Sequence, residues 1–380
     1  MIGLIQEQHA DRCRLFQQWK GLNFPIVQDP VNQNGIAVVP VYIAIDEHGI
    51  VQSRRPNPRT FAKDFIEKSF DAPSSEAPKI AEEKKTISHW QMEVRKSESI
   101  ESLLGLGDAY LLWKRTKGNA SKAIEAYEKA WKLDDSRYDI QFRLGSAYRF
   151  AYELDGQQSQ KLFEKSVSHW EKAYEMNRRQ YIYWRRIQQY GPRMKKPYSF
   201  YDWVAQARKE IEARGEKPHP LSVEPNGAEL AQRSRSMVVD KSAKNPDPKN
   251  EIPDEQKMIT SHVNFVPTNP KPGDVVAVHV GFNVVNRAKW NHATEPVSMW
   301  IEPPNENIKL SSQLIFDPKP HKAEESTDAI SLSFEIQIPK DQKGVLSLDA
   351  FGLCDICESV NNQCIRRRHN LTIKIPVENK

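Results

Sequence analysis

The chain has 380 residues, 28% charged and 38% hydrophobic, with a formal net charge of +5. That length holds two or three domains with separate cores, and so mild a charge means that any strongly basic partner site has to be local. No apolar run approaches the roughly 20 residues of a membrane helix, and four cysteines are too few for a disulfide scaffold.

Residues 1–71 read as an incomplete α/β unit. Met1 to Ile5 is a short apolar strand, followed at once by Gln6, Glu7 and Gln8 rather than by the apolar core of a signal peptide. As the chain stands this points to the cytoplasm, and to an extracytoplasmic site if a leader lies upstream of Met1. Ala10 to Gly21 is helix-like, with Cys13, Phe16 and Trp19 on one face. Ile36 to Asp46 is a continuous apolar run, the pattern of a strand buried on both faces, yet Pro40 interrupts it and removes a ladder donor. Glu47-His48-Gly49 makes a turn, Ile50-Val51 begins another strand, and Phe61 to Phe70 closes the unit as a helix.

The stretch from Val38 to Gly49 resembles the second half of the thioredoxin-like domain of the redoxin family. The resemblance implies a cis Val39–Pro40 bond beside a substrate-binding surface, with Ile2 to Ile5 as the central strand. The family's first strand and first helix, which carry its Cys-x-x-Cys, would lie before Met1. Cys13 belongs to another helix and has no partner two residues away.

Residues 72–97 read as a linker, opening on Ala72-Pro73-Ser74-Ser75. A helix-pair pattern then appears twice within residues 98–216. Leu106-Gly107-Asp108-Ala109-Tyr110 returns as Leu144-Gly145-Ser146-Ala147-Tyr148, and Ala123, Tyr127 and Ala130 return as Ser166, Trp170 and Ala173. A small residue lets the neighbouring helix approach, and an aromatic fills the groove beside it. This pattern resembles tetratricopeptide repeats, which implies protein partners bound by the helical stack. Both internal spacings exceed the ~34 residues of a standard repeat. Asn119 and Ser136 are the expected helix caps, and helices at Tyr181 to Tyr190 and Ser199 to Arg214 are expected to close the stack.

Arg178 to Trp203 interleaves Arg185, Arg186, Lys195 and Lys196 with Tyr181, Tyr183, Trp184, Tyr190, Tyr198 and Tyr201. Such a mixture can bind a phosphate backbone and stack on bases. Packing of the aromatics against the helical stack is the preferred reading, so nucleic acid is not the expected partner.

Residues 217–258, rich in proline and charge, read as a flexible connector. In residues 259–380 the pattern changes to strict alternation. Val276, Val278, Val280 and Phe282 share one strand face; Ile330, Leu332, Phe334 and Ile336 share a second; Leu371, Ile373, Ile375 and Val377 share a third. Period-2 patterning with Pro and Gly turns predicts an antiparallel β-sandwich. The fold expected for the whole is thus multidomain: a partial thioredoxin-like unit, helical hairpins and an immunoglobulin-like sandwich.

The main chemical signal is Cys354-Asp355-Ile356-Cys357, followed by Cys364 beyond the turn residues Asn361-Asn362. A hairpin there brings Cys357 across from Cys364, within disulfide reach. The hairpin on its sandwich resembles the paired-cysteine hairpin in the amino-terminal domain of the DsbD electron carriers, which implies thiol-disulfide exchange. Cys354 is extra to that pattern and offers a second, exchanging thiol. Arg366, Arg367 and Arg368 follow, and nearby positive charge favours a thiolate. The bridge is read equally as a structural staple. A third reading is a zinc site of the three cysteines with His369. His9, Asp11 and Cys13 read as local polar and core residues, and no phosphate loop, nucleophile elbow or zinc-protease motif is present, so no cofactor is expected.

Overall fold

The computed structural model describes residues 1–72, 86–113, 116–156, 159–193, 201–225, 229–230, 243–305, 307–317, 324–358 and 363–378. It is a mixed chain of helices and mainly antiparallel sheets, and no described helix is long and apolar enough to cross a membrane. The residues quoted above from Pro73 to Ser75, the turn Asn361-Asn362, and Lys195, Lys196 and Tyr198 lie outside the described residues.

At the start, β1 (Gly3–Ile5) and β2 (Ile26–Gln28) pair in parallel around α1 (Ala10–Lys20). Gly21 ends α1 in the left-handed region at φ 58°, where only glycine avoids a Cβ clash, and its N–H caps the last turn. Next come β3 (Ala44–Ile45) and β4 (Val51–Ser53), a hairpin folded around Asp46, whose carboxylate accepts the N–H groups of His48 and Ile50.

Two expectations for this region are corrected. The run Ile36 to Asp46 contributes only Ala44–Ile45 as strand, and Val39, Tyr42 and Ile43 are 53%, 62% and 47% exposed. Continuous apolarity needs a layer on each face to become a buried strand, and among the described residues Val38 to Ile43 pairs with no neighbouring strand. The expected helix Phe61 to Phe70 shrinks to a π-helical turn, Ala62–Ile66. The Val39–Pro40 bond is cis.

The helical region runs α2 (Ile87–Lys96), α3 (Ile100–Trp113), α4 (Lys117–Leu133), α5 (Tyr138–Leu154), α6 (Gln160–Met176) and α7 (Tyr181–Gln188), each packed on the next. The repeated pattern has the steric basis read from the sequence. A Cβ added to Gly107 would fall 2.3 Å from the Tyr127 ring, and one added to Gly145 would fall 2.3 Å from the Trp170 ring. Both aromatics are fully buried. Here too the sequence reading needs correction. The last part of the 72–97 linker is α2, which seats Trp90 against Gly105. Thr116, not Asn119, caps α4, because its hydroxyl accepts the Asn119 N–H at 3.2 Å. Ser136 bonds back to Asp134 and leaves the cap of α5 to Arg137.

α8 (Trp203–Ala213) does not close the stack. It packs on α1, burying Val204, Ala207 and Ile211 against Leu15 and Trp19, with Trp19 and Trp203 stacked at 5.8 Å. The connector is ordered where described: Glu229 is buried in an ion pair with Arg12, and Asp247 is buried against Arg368.

Ten strands follow. One sheet orders β5 (Ile259–Val266), β6 (Val275–Val284), β12 (Ile330–Gln337) and β9 (Lys309–Leu310). The other orders β10 (Leu314–Phe316), β8 (Ser298–Glu302), β13 (Gly344–Glu358), β7 (Ala288–Asn291) and β11 (Glu325–Ser326), with β14 (Gln363–Val377) paired along the whole of β13. The alternating residues meet as read: Val276, Val278, Val280, Phe282, Ile330, Leu332, Phe334, Ile336, Ile373 and Ile375 share one core. Each such side chain taken out of water contributes about 1.5–3 kcal/mol before entropy is counted.

Helices and sheet meet along a seam. The Tyr152 hydroxyl bonds His262 Nε2 at 3.2 Å, and His279 Nε2 reaches the Tyr190 carbonyl at 2.6 Å. A carbonyl only accepts, so His279 carries its proton on Nε2. Gly191 sits so close to the sheet that an added Cβ would lie 2.3 Å from that of Ala277.

Candidate functional site

The sulfurs are placed by the register of β13 and β14. Cys357 lies directly opposite Cys364, and the two are joined in a disulfide. The strands differ in cover. β7 pairs with this end of β13, setting Lys289 beside Cys357, so Cys357 is 7% exposed. Cys364 sits on the uncovered strand and is exposed.

Two charged residues remote in sequence complete the site. Glu325 of β11 brings a carboxylate oxygen within 4.8 Å of both sulfurs and pairs with Lys289 Nζ at 2.9 Å. Neither residue belongs to a local motif with the cysteines. The pairing β13–β7–β11 assembles them, which is why reading along the chain missed them.

Cys354 does not join this group. Successive side chains of a strand point to opposite faces, so Cys354 and Ile356 enter the core together while Cys357 faces the other way. Burial pushes the Cys354 thiol well up, which disfavours the reactive thiolate. The expected exchange between bonds therefore lacks its third thiol.

Burial outweighs the pull of Arg366 on the Cys354 thiol, and Arg366 and Arg368 are engaged elsewhere. Arg366 pairs with Glu295 at 2.7 Å and with Asp355 at 3.4 Å; Arg368 stacks on Phe351 at 3.7 Å and reaches Asp247. The zinc reading lacks its geometry: two of its thiols are bonded to each other, the third is in the core, and His369 Nε2 is engaged by Ser261 at 2.9 Å.

Val39 and Pro40 belong to a different place. Val39 lines a cavity with Leu4, Glu7 and residues of α7, sharing no neighbour with the disulfide. His9, Asp11 and Cys13 do not converge: His9 faces Glu153, Asp11 faces His219, and Cys13 is in the interior. In the Arg178 to Trp203 segment Tyr183 and Tyr190 do pack the end of the stack, Tyr183 on Phe142 at 4.4 Å and Tyr190 on Trp170 at 5.9 Å, while Trp203 packs on α1.

No protein-family model matches this chain, and no curated protein matches it. Among solved structures it is similar to the DsbD amino-terminal domain of Neisseria meningitidis in the reduced form, with 11% identity and a TM-score of 0.17 over 34% of this chain and 92% of that one. AvmM, which catalyses macrocyclization in alchivemycin A biosynthesis, aligns at 9% identity and a TM-score of 0.21 over 32% of this chain and 90% of that one. AlkC, the alkylpurine DNA glycosylase of Pseudomonas fluorescens, aligns at 8% identity and a TM-score of 0.18 over 77% of this chain and 75% of that one. Scores of this size assign neither family nor function.

Proposed function

We propose that this protein exchanges electrons with a partner thiol through the Cys357–Cys364 disulfide, as a redoxin-like oxidoreductase or accessory. The observation that carries the reading is the asymmetry of the bridge: one sulfur exposed, the other covered, and an ion pair beside both. A thiolate from a dithiol partner attacks the exposed Cys364 sulfur. A mixed disulfide forms there, the Cys357–Cys364 bond breaks, and Cys357 leaves as thiolate beside Lys289. The partner's second thiolate then attacks its own sulfur in the mixed disulfide and releases Cys364. Two electrons have passed, leaving this protein a dithiol and the partner a disulfide, with Glu325 placed to exchange protons with the cysteines.

The surrounding units suit that role. We take residues 1–71 as a partial thioredoxin-like domain in which Val39 and Pro40 belong to a peptide-binding surface. Within residues 98–216, α3 to α7 form, with α2 ahead of them, a tetratricopeptide-like stack that recruits protein partners, and residues 259–380 are an immunoglobulin-like sandwich carrying the redox hairpin. Residues 72–97 and 217–258 join them.

Single-cysteine variants test the mechanism. Cys357→Ser leaves the exposed Cys364 as a free thiol and should accumulate mixed disulfides with a small disulfide probe such as oxidised glutathione, whereas Cys364→Ser should not. Equilibration in glutathione buffers gives the potential. An exchangeable bridge opens within the range of glutathione, and a structural one lies below about −300 mV. A bond that stays closed there, with no mixed disulfide trapped, would leave an interaction scaffold held by a staple.

A further inference from the structure

Within β14, Arg368 turns its backbone away from β13. Its N–H donates to the Ile252 carbonyl at 2.7 Å, and its own carbonyl accepts the Asp254 N–H at 3.0 Å. Along an antiparallel strand the groups that face one neighbour alternate with period two. The register of β13 with β14 runs unbroken from Gly344 opposite Val377 to Glu358 opposite Gln363. Arg366 and Cys364 therefore turn their N–H and C=O groups outward as well. Pro376 falls in the same outward set, where a missing N–H costs no ladder bond.

This outward edge is occupied at Arg368 and open at the cysteine. Pro253 bridges Arg368 in parallel, so the chain itself lays a short strand on the edge. Among the described residues no backbone group meets the N–H and C=O of Cys364 or the N–H of Arg366. The Arg366 carbonyl accepts from Arg367 Nη1 at 3.4 Å. An open strand edge is a template for a further strand.

The register also sets the sulfurs in a row. Lys289 of β7, Cys357 of β13 and Cys364 of β14 are successive partners across three strands, so their side chains stand on one face in that order. The next place in the row is the open edge. Thiol-disulfide exchange needs the incoming thiolate, the attacked sulfur and the leaving sulfur nearly in line. A cysteine on a strand added beside Cys364 meets that need, because it approaches from the side opposite Cys357. Lys289 then stands at the far end of the row, beside the departing thiolate. Residues opposed in such a pair are about 5.5 Å apart at Cα, inside the roughly 4.4–6.8 Å that a mixed disulfide spans.

We propose that the partner presents its cysteine on an extended segment that adds to β14 as a further strand at Cys364 to Arg366. The inference rests on the redox reading of the bridge and adds the manner of docking. Main-chain hydrogen bonds at the edge hold the segment, with little demand on the side chains around its cysteine. The segment's thiolate bonds to Cys364 Sγ, the Cys357–Cys364 bond breaks, and Cys357 takes the electron pair.

The test uses the full oxidised chain and the peptide N-acetyl-Thr-Val-Cys-Val-Thr amide, whose β-branched residues favour extension. N-acetylcysteine amide is the reference thiol, and dithiothreitol checks that the bridge opens. Mass spectrometry after acid quenching gives the rate at which each thiol joins Cys364. Dividing by its rate with oxidised glutathione removes intrinsic differences between thiols. The peptide should react roughly tenfold faster than the reference, the worth of one or two main-chain hydrogen bonds. Two N-methylated peptides then locate those bonds, one modified at the cysteine and both threonines, the other at both valines. One of them should lose the advantage and the other keep it, since alternate amides of a strand face its neighbour. Loss in the first means antiparallel addition, and loss in the second means parallel. A peptide no faster than the reference, or an advantage that both modified peptides keep or both lose, overturns strand addition while dithiothreitol still opens the bridge. A bridge that dithiothreitol leaves closed in native buffer removes the redox reading itself, and the docking with it.

Discussion

Gly107 lies directly under the ring of Tyr127, so close that a methyl group in place of its hydrogen would sit 2.3 Å from ring carbon Cε1. Helix propensity alone favours alanine over glycine by about 1 kcal/mol, whereas overpacking a filled core costs about 1–3 kcal/mol or more. Tyr127 is fully buried and cannot move aside, so packing wins. Gly107→Ala and Gly145→Ala should each lower stability by at least about 1 kcal/mol in urea unfolding. Gly118→Ala, with nothing within 4 Å of the added carbon, should be neutral or stabilising.

Asp108 ties the same helices together through charge. Its carboxylate accepts from Tyr127 at 2.6 Å and from Arg143 at 3.0 and 3.3 Å, all in the interior. Asp108→Asn keeps the shape and leaves Arg143 to Asp139 alone, so unfolding free energy should fall by about 1–3 kcal/mol. A loss under about 1 kcal/mol would mean that water or Asp139, 3.0 Å from Arg143 Nη1, takes over the charge.

The thiols should divide into two classes. After reduction in native buffer, Cys364 and then Cys357 should react with Ellman's reagent. Cys354, held protonated by burial, should react only when denaturant is added, and so should the buried Cys13. Prompt labelling of Cys354 would contradict its place in the core.

The ion pair beside the bridge predicts opposite effects from its two members. Lys289→Gln leaves Glu325 facing the nascent Cys357 thiolate, and dithiothreitol should reduce the bridge more slowly. Glu325→Gln leaves the lysine and should speed reduction. With both side chains nearly half exposed, each effect is about 1 kcal/mol, or roughly fivefold, and should shrink in high salt.

Two half-buried histidines give a pH dependence with a definite sign. His169 and His279 are both pushed down to about 4 by burial, below the unfolded value of 6.5. The unfolded chain therefore binds protons first. Their contribution is fully present above pH 6.5 and is lost as pH falls toward 4, at up to about 1.4 kcal/mol per pH unit for each. Glu171, whose pKa burial raises, works in the opposite direction. Urea midpoints at pH 7, 6 and 5 should fall in the wild type and fall less steeply in His279→Gln.

What the sequence made legible was what depends on local steric rules. Glycine under an aromatic, two-residue alternation and the span across a short turn all act within one or two elements, so Gly107, Val278 and the Cys357–Cys364 pairing could be read directly. The residues missed depend on partners far along the chain. Whether Val38 to Ile43 forms a strand is decided by a neighbouring strand, and Lys289 and Glu325 reach the sulfurs through a third and a fourth strand. Arg12 and Glu229 meet across more than half of the chain. Cys354 was misjudged for a local reason, because strand alternation turns it away from Cys357.

Tyr190 has a consequence for how the molecule comes apart. Its ring stacks on Trp170 within the helices, its carbonyl accepts from His279 of the sheet, and the next residue leaves no gap above Ala277. Cutting the chain between helices and strands would strip both sides of that seam and expose a half-buried histidine on one fragment and a buried aromatic on the other. Heating should accordingly produce one cooperative transition spanning helices and strands, and fragments cut at the compositional boundaries should be less stable than the same residues within the intact chain.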